Sequence, residues 1–291
     1  MLHPTIERFA YKLGPEQGTM AYRSWSAGGV GLMRPSLVCA HGISQNSRNF
    51  DALAQRLVGD FDIIVPDYPG RGLSDAFADK LNYTHPNYVT LFQSFLAARH
   101  LGAVYWLGTS MGGLTGLFLA SLPETPIKKL VLNDIGPVIP KETRQQFVMA
   151  AKAGPPRYAS LAEAQESMAG VFANFGIIEA GMQEAFVQAL LRQDADTSWR
   201  PDYDFGIFEY ALRLPGVGLE DAFFWNFWAT VRCPVLVLHG VNSTTLTPAI
   251  IAEMCRRRPD IEVVDIPNTG HAPHLMNDEQ AELVRGWLLR D

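Results

Sequence analysis

Ser110 stands in the string Leu107-Gly108-Thr109-Ser110-Met111-Gly112-Gly113. This G-x-S-x-G pentapeptide follows an apolar, strand-like run at 103–107 and precedes a helix-like run at 114–122. A serine in a sharp strand-to-helix turn holds its hydroxyl above the sheet edge, where it can act as a nucleophile. Such a turn requires positive φ at the serine and small residues beside it. Gly108 and Gly112 meet that need. The helix that follows aims its first amides at the same point, where charge would develop on a substrate oxygen. A glycine-rich turn that merely contains serine is the alternative; the flanking strand and helix favour the nucleophile.

A serine hydroxyl needs a base, and the base needs an orienting acid. Of seven histidines, His271 stands in Asn268-Thr269-Gly270-His271-Ala272-Pro273, after the last strand candidate and before the final helix. A loop there returns to the carboxyl edge of the sheet, where Ser110 is exposed. His271 is therefore the candidate general base, against the plain reading of a surface-loop histidine. His274 is the near competitor and is expected to point elsewhere. Two backbone amides are needed for an oxyanion. Met111, next after the nucleophile, should give one. Ile43, in the loop His41-Gly42-Ile43-Ser44-Gln45-Asn46 after the strand ending at Ala40, should give the other. His41 is expected to hydrogen-bond loop backbone.

These residues need a frame. Strand candidates fall at 6–13, 19–25, 36–40, 62–66, 103–107, 130–133, 235–239 and 261–266. Several are near-continuous apolar runs, which suit parallel strands covered on both faces. Helical patterns lie between them at 50–57, 88–100, 114–122, 248–257 and 279–289. Strand and helix in alternation predict a doubly wound α/β sheet. The alternation breaks from Val138 to about Thr230, where 141–153, 161–175 and 179–193 read as helical. That stretch is expected to be an all-helical insertion. Long insertions are tolerated over active sites, where they act as lids.

Bulk properties narrow the function classes. The 291 residues are 47% apolar and 19% charged, ordinary for a globular protein with a large core. The net charge is −6, and no basic run is longer than Arg256-Arg257-Arg258, so nucleic acid and anionic membranes are not expected partners. No apolar stretch is long enough to span a bilayer, and the first residues do not read as a secretory signal. Cys39, Cys233 and Cys255 suit reduced thiols better than disulfides or a metal cage. A cytoplasmic protein without metal or cofactor, acting on a small molecule as a monomer or homodimer, is the expectation.

The chain resembles the α/β-hydrolase superfamily, and in its insertion the members that carry a helical cap. The landmarks are His41-Gly42, Asp67-Tyr68-Pro69-Gly70-Arg71-Gly72-Leu73-Ser74, the Ser110 turn and Gly270-His271, in the superfamily's order. The resemblance implies a mostly parallel eight-stranded sheet. It divides the chain into a core, 1–137 and 230–291, and a cap, 138–229. Asp67 is read as holding its turn. Most members place the acid three residues beyond a glycine like Gly240, but here that position is Ser243. The family's other acid position, at the end of the sixth strand, is Asp134 in Asn133-Asp134-Ile135-Gly136. Asp134 is accordingly the candidate acid, against a role in capping the turn into the insertion.

The implied reaction is acyl transfer to water through Ser110, without a cofactor. A serine at the turn argues against the epoxide-hydrolase and dehalogenase branches, which use a carboxylate. A carboxylic ester or lactone is the first choice, carbon–carbon cleavage the second and amide hydrolysis the third. A non-catalytic binding protein on the same fold is the different-class alternative, disfavoured by the complete set of serine, histidine and acid. In the cap, Phe223, Phe224, Trp225, Phe227 and Trp228 read either as an apolar wall over the substrate or as packing of cap on core. Trp225, Trp228 and Arg144 are the candidates for substrate contact. Arg144, Arg157, Arg192 and Arg200 could meet a substrate carboxylate or be solvated surface charge.

Overall fold

A computed structural model describes residues 2–28, 34–213 and 218–290. Eight strands form the central sheet: β1 (Thr5–Leu13), β2 (Glu16–Trp25), β3 (Ser36–Ala40), β4 (Asp62–Pro66), β5 (Val104–Thr109), β6 (Ile127–Asn133) and, after the insertion, β11 (Val235–Gly240) and β12 (Glu262–Ile266). Their spatial order is β1-β2-β4-β3-β5-β6-β11-β12. The pairs involving β1 and β2 are antiparallel and the rest parallel. The sheet is therefore the mostly parallel, eight-stranded α/β sheet that the sequence implies.

The apolar runs alternate between two cores. Leu107 of β5, Val131 of β6 and Leu236 of β11 face one layer, which α1 (Asp51–Leu57) and α11 (Asp278–Leu288) cover. Trp106, Leu132 and Val237 face the other, with α2 (His85–Ala98), α3 (Met111–Ala120) and α10 (Pro248–Arg257). Strands buried on both faces lose their polar alternation, which is why these read as solid apolar runs. Helix starts are marked locally. Asn277 accepts from Gln280 N–H at 2.9 Å, and Pro248 fills the first turn of α10. Helix α3 begins at Met111, earlier than its apolar run, because Gly112 and Gly113 in its first turn carry no hydrophobic signal.

The insertion lies between β6 and β11. Its helices are α4 (Lys141–Ala153), α5 (Leu161–Ser167), α6 (Ala169–Phe175), α7 (Ala180–Leu190), α8 (Glu209–Arg213) and α9 (Trp225–Trp228). It is not all-helical. Strand β7 (Val138–Ile139) pairs with β10 (Ala222–Phe223), which joins the chain entering the insertion to the chain leaving it. Strands β8 (Leu191–Gln193) and β9 (Trp199–Pro201) form a second antiparallel ribbon. The run at 179–193 thus ends as strand, because Leu191 to Gln193 satisfy their backbone across the ribbon instead of along a helix. The insertion has a small core of its own around Phe172, Ile177, Phe186 and Val187. Among the described residues no helix is long and apolar enough to cross a membrane.

Candidate active site

Strand β5 stops at Thr109 and α3 starts at Met111, which leaves Ser110 alone at the corner with φ 51° and ψ −115°. This is the positive φ that the spacing predicts. The corner is possible because backbone approaches backbone there. A Cβ on Gly112 would lie 2.1 Å from the Ala40 carbonyl oxygen, and one on Gly108 would lie 2.3 Å from the Gly112 carbonyl. Ser110 N–H donates to the Asn133 carbonyl at 3.1 Å, which ties the corner to the end of β6.

The next residue on that strand end is Asp134, wholly buried and also at positive φ, 54°. Its Oδ2 lies 2.7 Å from His271 Nδ1, and His271 Nε2 lies 2.9 Å from Ser110 Oγ. With the Nδ1 proton directed at the carboxylate, Nε2 is left to accept from the serine hydroxyl. The carboxylate is well satisfied: Gly240 N–H donates to Oδ1 at 2.9 Å and the Ser243 hydroxyl to Oδ2 at 2.5 Å. Ser243, at the position where the resembled family more often places its acid, thus hydrogen-bonds the candidate acid Asp134. Its Oγ also accepts the amides of Thr245 and Leu246, at 3.2 and 3.1 Å.

Two clamps hold the His271 loop. Asn133 Nδ2 donates to the Pro273 carbonyl at 2.9 Å and to Thr109 Oγ1 at 3.0 Å. Asn174, at the end of α6, accepts from His271 N–H at 3.2 Å and donates to the His271 carbonyl at 2.5 Å. The insertion thus grips the histidine directly, a contact with no sequence signal. His274 turns away: its Nδ1 accepts from Met276 N–H at 2.9 Å, and burial pushes its pKa down to about 4. His41 is fully buried, bonded to the Gly42 carbonyl through Nδ1 and accepting from Tyr68 N–H through Nε2. Burial, against the Gly42 bond, brings its pKa down to about 3, so it stays neutral. Asp67 accepts from the amides of Ser47 and Leu73, at 2.6 and 3.0 Å, and holds its turn. Ile43 and Met111 line the same cavity as Ser110, and among the described residues neither backbone N–H is spent on another hydrogen bond.

Ser110 opens into a largely apolar cavity of about 520 Å³. Helix α3 supplies Met111, Leu114 and Phe118, and the insertion supplies Ile139, Phe147, Phe224 and Phe227. Here the aromatic expectation is corrected. Trp225 and Trp228 do not line the cavity. Trp228 is completely buried, with the Arg258 guanidinium 5.5 Å from its ring, and Trp225 lies under Arg257 at 4.4 Å. Phe224, which caps this short helix, and Phe227 within it pack edge-on against Phe118 at 5.1 and 4.7 Å. Arg144 does line the cavity. Arg157, Arg192 and Arg200 line instead a separate polar cleft of about 830 Å³, each within 4 Å of a carboxylate of Asp194 or Asp202. Such a cleft has its charges already matched.

Comparison with known proteins fits this geometry. A family model described as "Alpha/beta hydrolase family" matches residues 37–284. A 3-hydroxybutyrate-oligomer hydrolase of Cupriavidus necator is 33% identical over 266 residues, covering 90% of this chain and 89% of the relative. A 2-(acetamidomethylene)succinate hydrolase of Mesorhizobium japonicum is 25% identical, covering 86% and 84%. The solved structure of an alpha/beta hydrolase from Novosphingobium aromaticivorans superposes with a TM-score of 0.85 at 26% identity, over 99% of each chain.

Proposed function

The chain belongs to the α/β-hydrolase family, and from that premise we propose that it is a serine hydrolase that cleaves a small carboxylic ester or lactone through an acyl-enzyme. The observation that carries this reading is the unbroken chain Ser110 Oγ, His271 Nε2, His271 Nδ1 and Asp134 Oδ2, with steps of 2.9 and 2.7 Å. In the reaction Ser110 attacks the carbonyl carbon while His271 takes its proton. The oxyanion is received by the amides of Ile43 and Met111. The tetrahedral intermediate collapses as His271 protonates the departing alcohol. Water then repeats the sequence on the acyl-enzyme and releases the acid. Asp134 keeps the imidazole oriented and offsets its charge.

The insertion serves as the cap. Phe224, Phe227 and Phe147 give it an apolar inner wall, which suits a small organic acyl or alkyl group. The relative named for a 3-hydroxybutyrate oligomer supports a short hydroxy-acid ester as the first substrate to test. Carbon–carbon and amide cleavage are the second reading. The relatives named for 2-(acetamidomethylene)succinate and N-formylmaleamate, both amide-bearing compounds, favour keeping the amide half of it.

The test is hydrolysis of a p-nitrophenyl ester series, acetate to decanoate, by wild type and Ser110→Ala. Turnover that depends on Ser110, with an optimum at short chains, supports ester cleavage. Turnover that survives Ser110→Ala overturns it.

A further inference from the structure

Among the described residues Arg71 is an arginine without an anion. It lies between Gly70 and Gly72 in the loop after β4, is 1% exposed, and lines the cavity that holds Ser110. A guanidinium has five N–H donors and a fixed charge. Nε donates to the Ile43 carbonyl at 3.0 Å, and Nη1 to the Pro69 carbonyl at 2.8 Å and to the Tyr88 hydroxyl at 2.9 Å. Nη2 faces only the sulfur of Met111, at 3.7 Å, a weak acceptor. Among the described residues no carboxylate lies within ion-pair distance of it, whereas the partly buried Arg23, Arg258 and Arg285 each have one.

A buried charge without a counter-ion is unfavourable, because the lost hydration is not replaced. The rings of Tyr83 and Tyr88, 5.2 and 5.6 Å from the guanidinium carbon, recover part of this but supply no negative charge. The cavity supplies none either. Its lining includes Arg71 and Arg144 and not one aspartate or glutamate, in a chain whose net charge is −6. Nη2 is also beside Met111, the residue next to the nucleophile. The cavity is therefore a positively charged, largely apolar chamber with one guanidinium edge, satisfied only by a thioether sulfur, close to Ser110.

We propose that Arg71 is a substrate-binding residue that receives a carboxylate of the substrate, so that the substrate is an ester bearing a free acid. This rests on the ester reading above. The carboxylate accepts from Nη2, and the apolar walls hold the carbon chain between that end and Ser110. Arg71 also holds the Ile43 carbonyl, so its loss is expected to lower activity on every substrate. What charge recognition alone moves is the ratio between an acid and its neutral copy.

The experiment compares kcat/KM for two pairs. One is p-nitrophenyl hemiglutarate against its terminal amide, with the charge on the acyl side. The other is 4-acetoxybutanoate against its amide, with the charge on the alcohol side. In at least one pair wild type should prefer the acid by about 10-fold or more, and Arg71→Gln should bring that ratio to about one while Arg71→Lys keeps part of it. A preference for the amide in both pairs, or a ratio that Arg71→Gln leaves unchanged, overturns the proposal. A thermal-shift titration with glutarate and with glutaramide reads binding without turnover. Stabilisation of wild type by glutarate alone supports the carboxylate site at Arg71 even if no ester is cleaved, which would fault the ester reading and leave the carboxylate recognition standing. Equal stabilisation by both, or by neither, counts against it even if Arg71→Gln fails to fold.

Discussion

The hydroxyl of Ser243 donates to Asp134 Oδ2 at 2.5 Å, and the same oxygen faces His271 Nδ1 at 2.7 Å. Two residues that are alternatives in the family's acid position are here partners. The hydroxyl fixes the carboxylate's rotation, and its own lone pairs are held by the amides of Thr245 and Leu246. On the proposed mechanism Ser243 is a positioning residue, acting on His271 through Asp134.

Ser243→Ala should lower kcat about 10-fold, the scale of one hydrogen bond to a charged group, with little change in KM. In an Asp134→Asn background the same substitution should cost far less, because the partner it orients is gone. Equal costs in both backgrounds, measured in a double-mutant cycle, would assign Ser243 to folding alone.

Asp134→Asn should keep the fold and lower kcat by about 10⁴, the size expected when the base loses its tautomer control. Steady-state kinetics with a circular-dichroism check reads this. A variant that keeps most of its kcat would leave Asp134 as a turn residue only.

Phe227 meets Phe118 edge-on inside the cavity, with ring centres 4.7 Å apart. Phe227→Ala should move the chain-length optimum toward longer acyl groups, whereas Trp228→Ala, buried away from the cavity, should lower stability and leave the optimum in place. Chain-length profiles of the two variants, taken with their urea midpoints, check the assignment.

Stability should fall on acidification from neutral pH. Burial depresses His41 to about 3 and His274 to about 4 in the folded chain, against a usual value near 6.5. Below about pH 6.5 the unfolded chain takes up protons that the folded chain refuses, so the stabilisation present at pH 7 is lost progressively toward the folded values. The unfolding free energy of wild type should decline between pH 6.5 and 4, and His41→Gln should show a shallower slope. An identical slope in the variant would remove His41 from the account.

The parts of the site legible in the sequence are those whose chemistry is local. Gly108, Ser110 and Gly112 announce a strained corner because sterics act between neighbours, and the paired apolar runs announce a sheet covered on both sides. His271 is legible because a loop after the last strand must return to the same edge. The phase of the aromatic cluster was not legible. Phe224 and Phe227 line the cavity and Trp225 and Trp228 do not, and spacing alone does not say which of the four rings meet it. Asn174 grips His271 across 97 positions of chain, and nothing near either residue marks that contact. The two-residue ribbon of β7 and β10 is equally silent, because it is held by pairing and not by pattern. Arg71 was visible as part of a turn motif, but its missing counter-ion is a property of three-dimensional packing.

The most direct measurement is the intact mass and peptide map of the protein after treatment with a fluorophosphonate. A Ser110 activated by His271 and Asp134 should take up one equivalent, mapped to the peptide that contains residue 110, and His271→Ala should slow labelling by orders of magnitude. Stoichiometric labelling elsewhere, or none on folded wild type, would contradict the account.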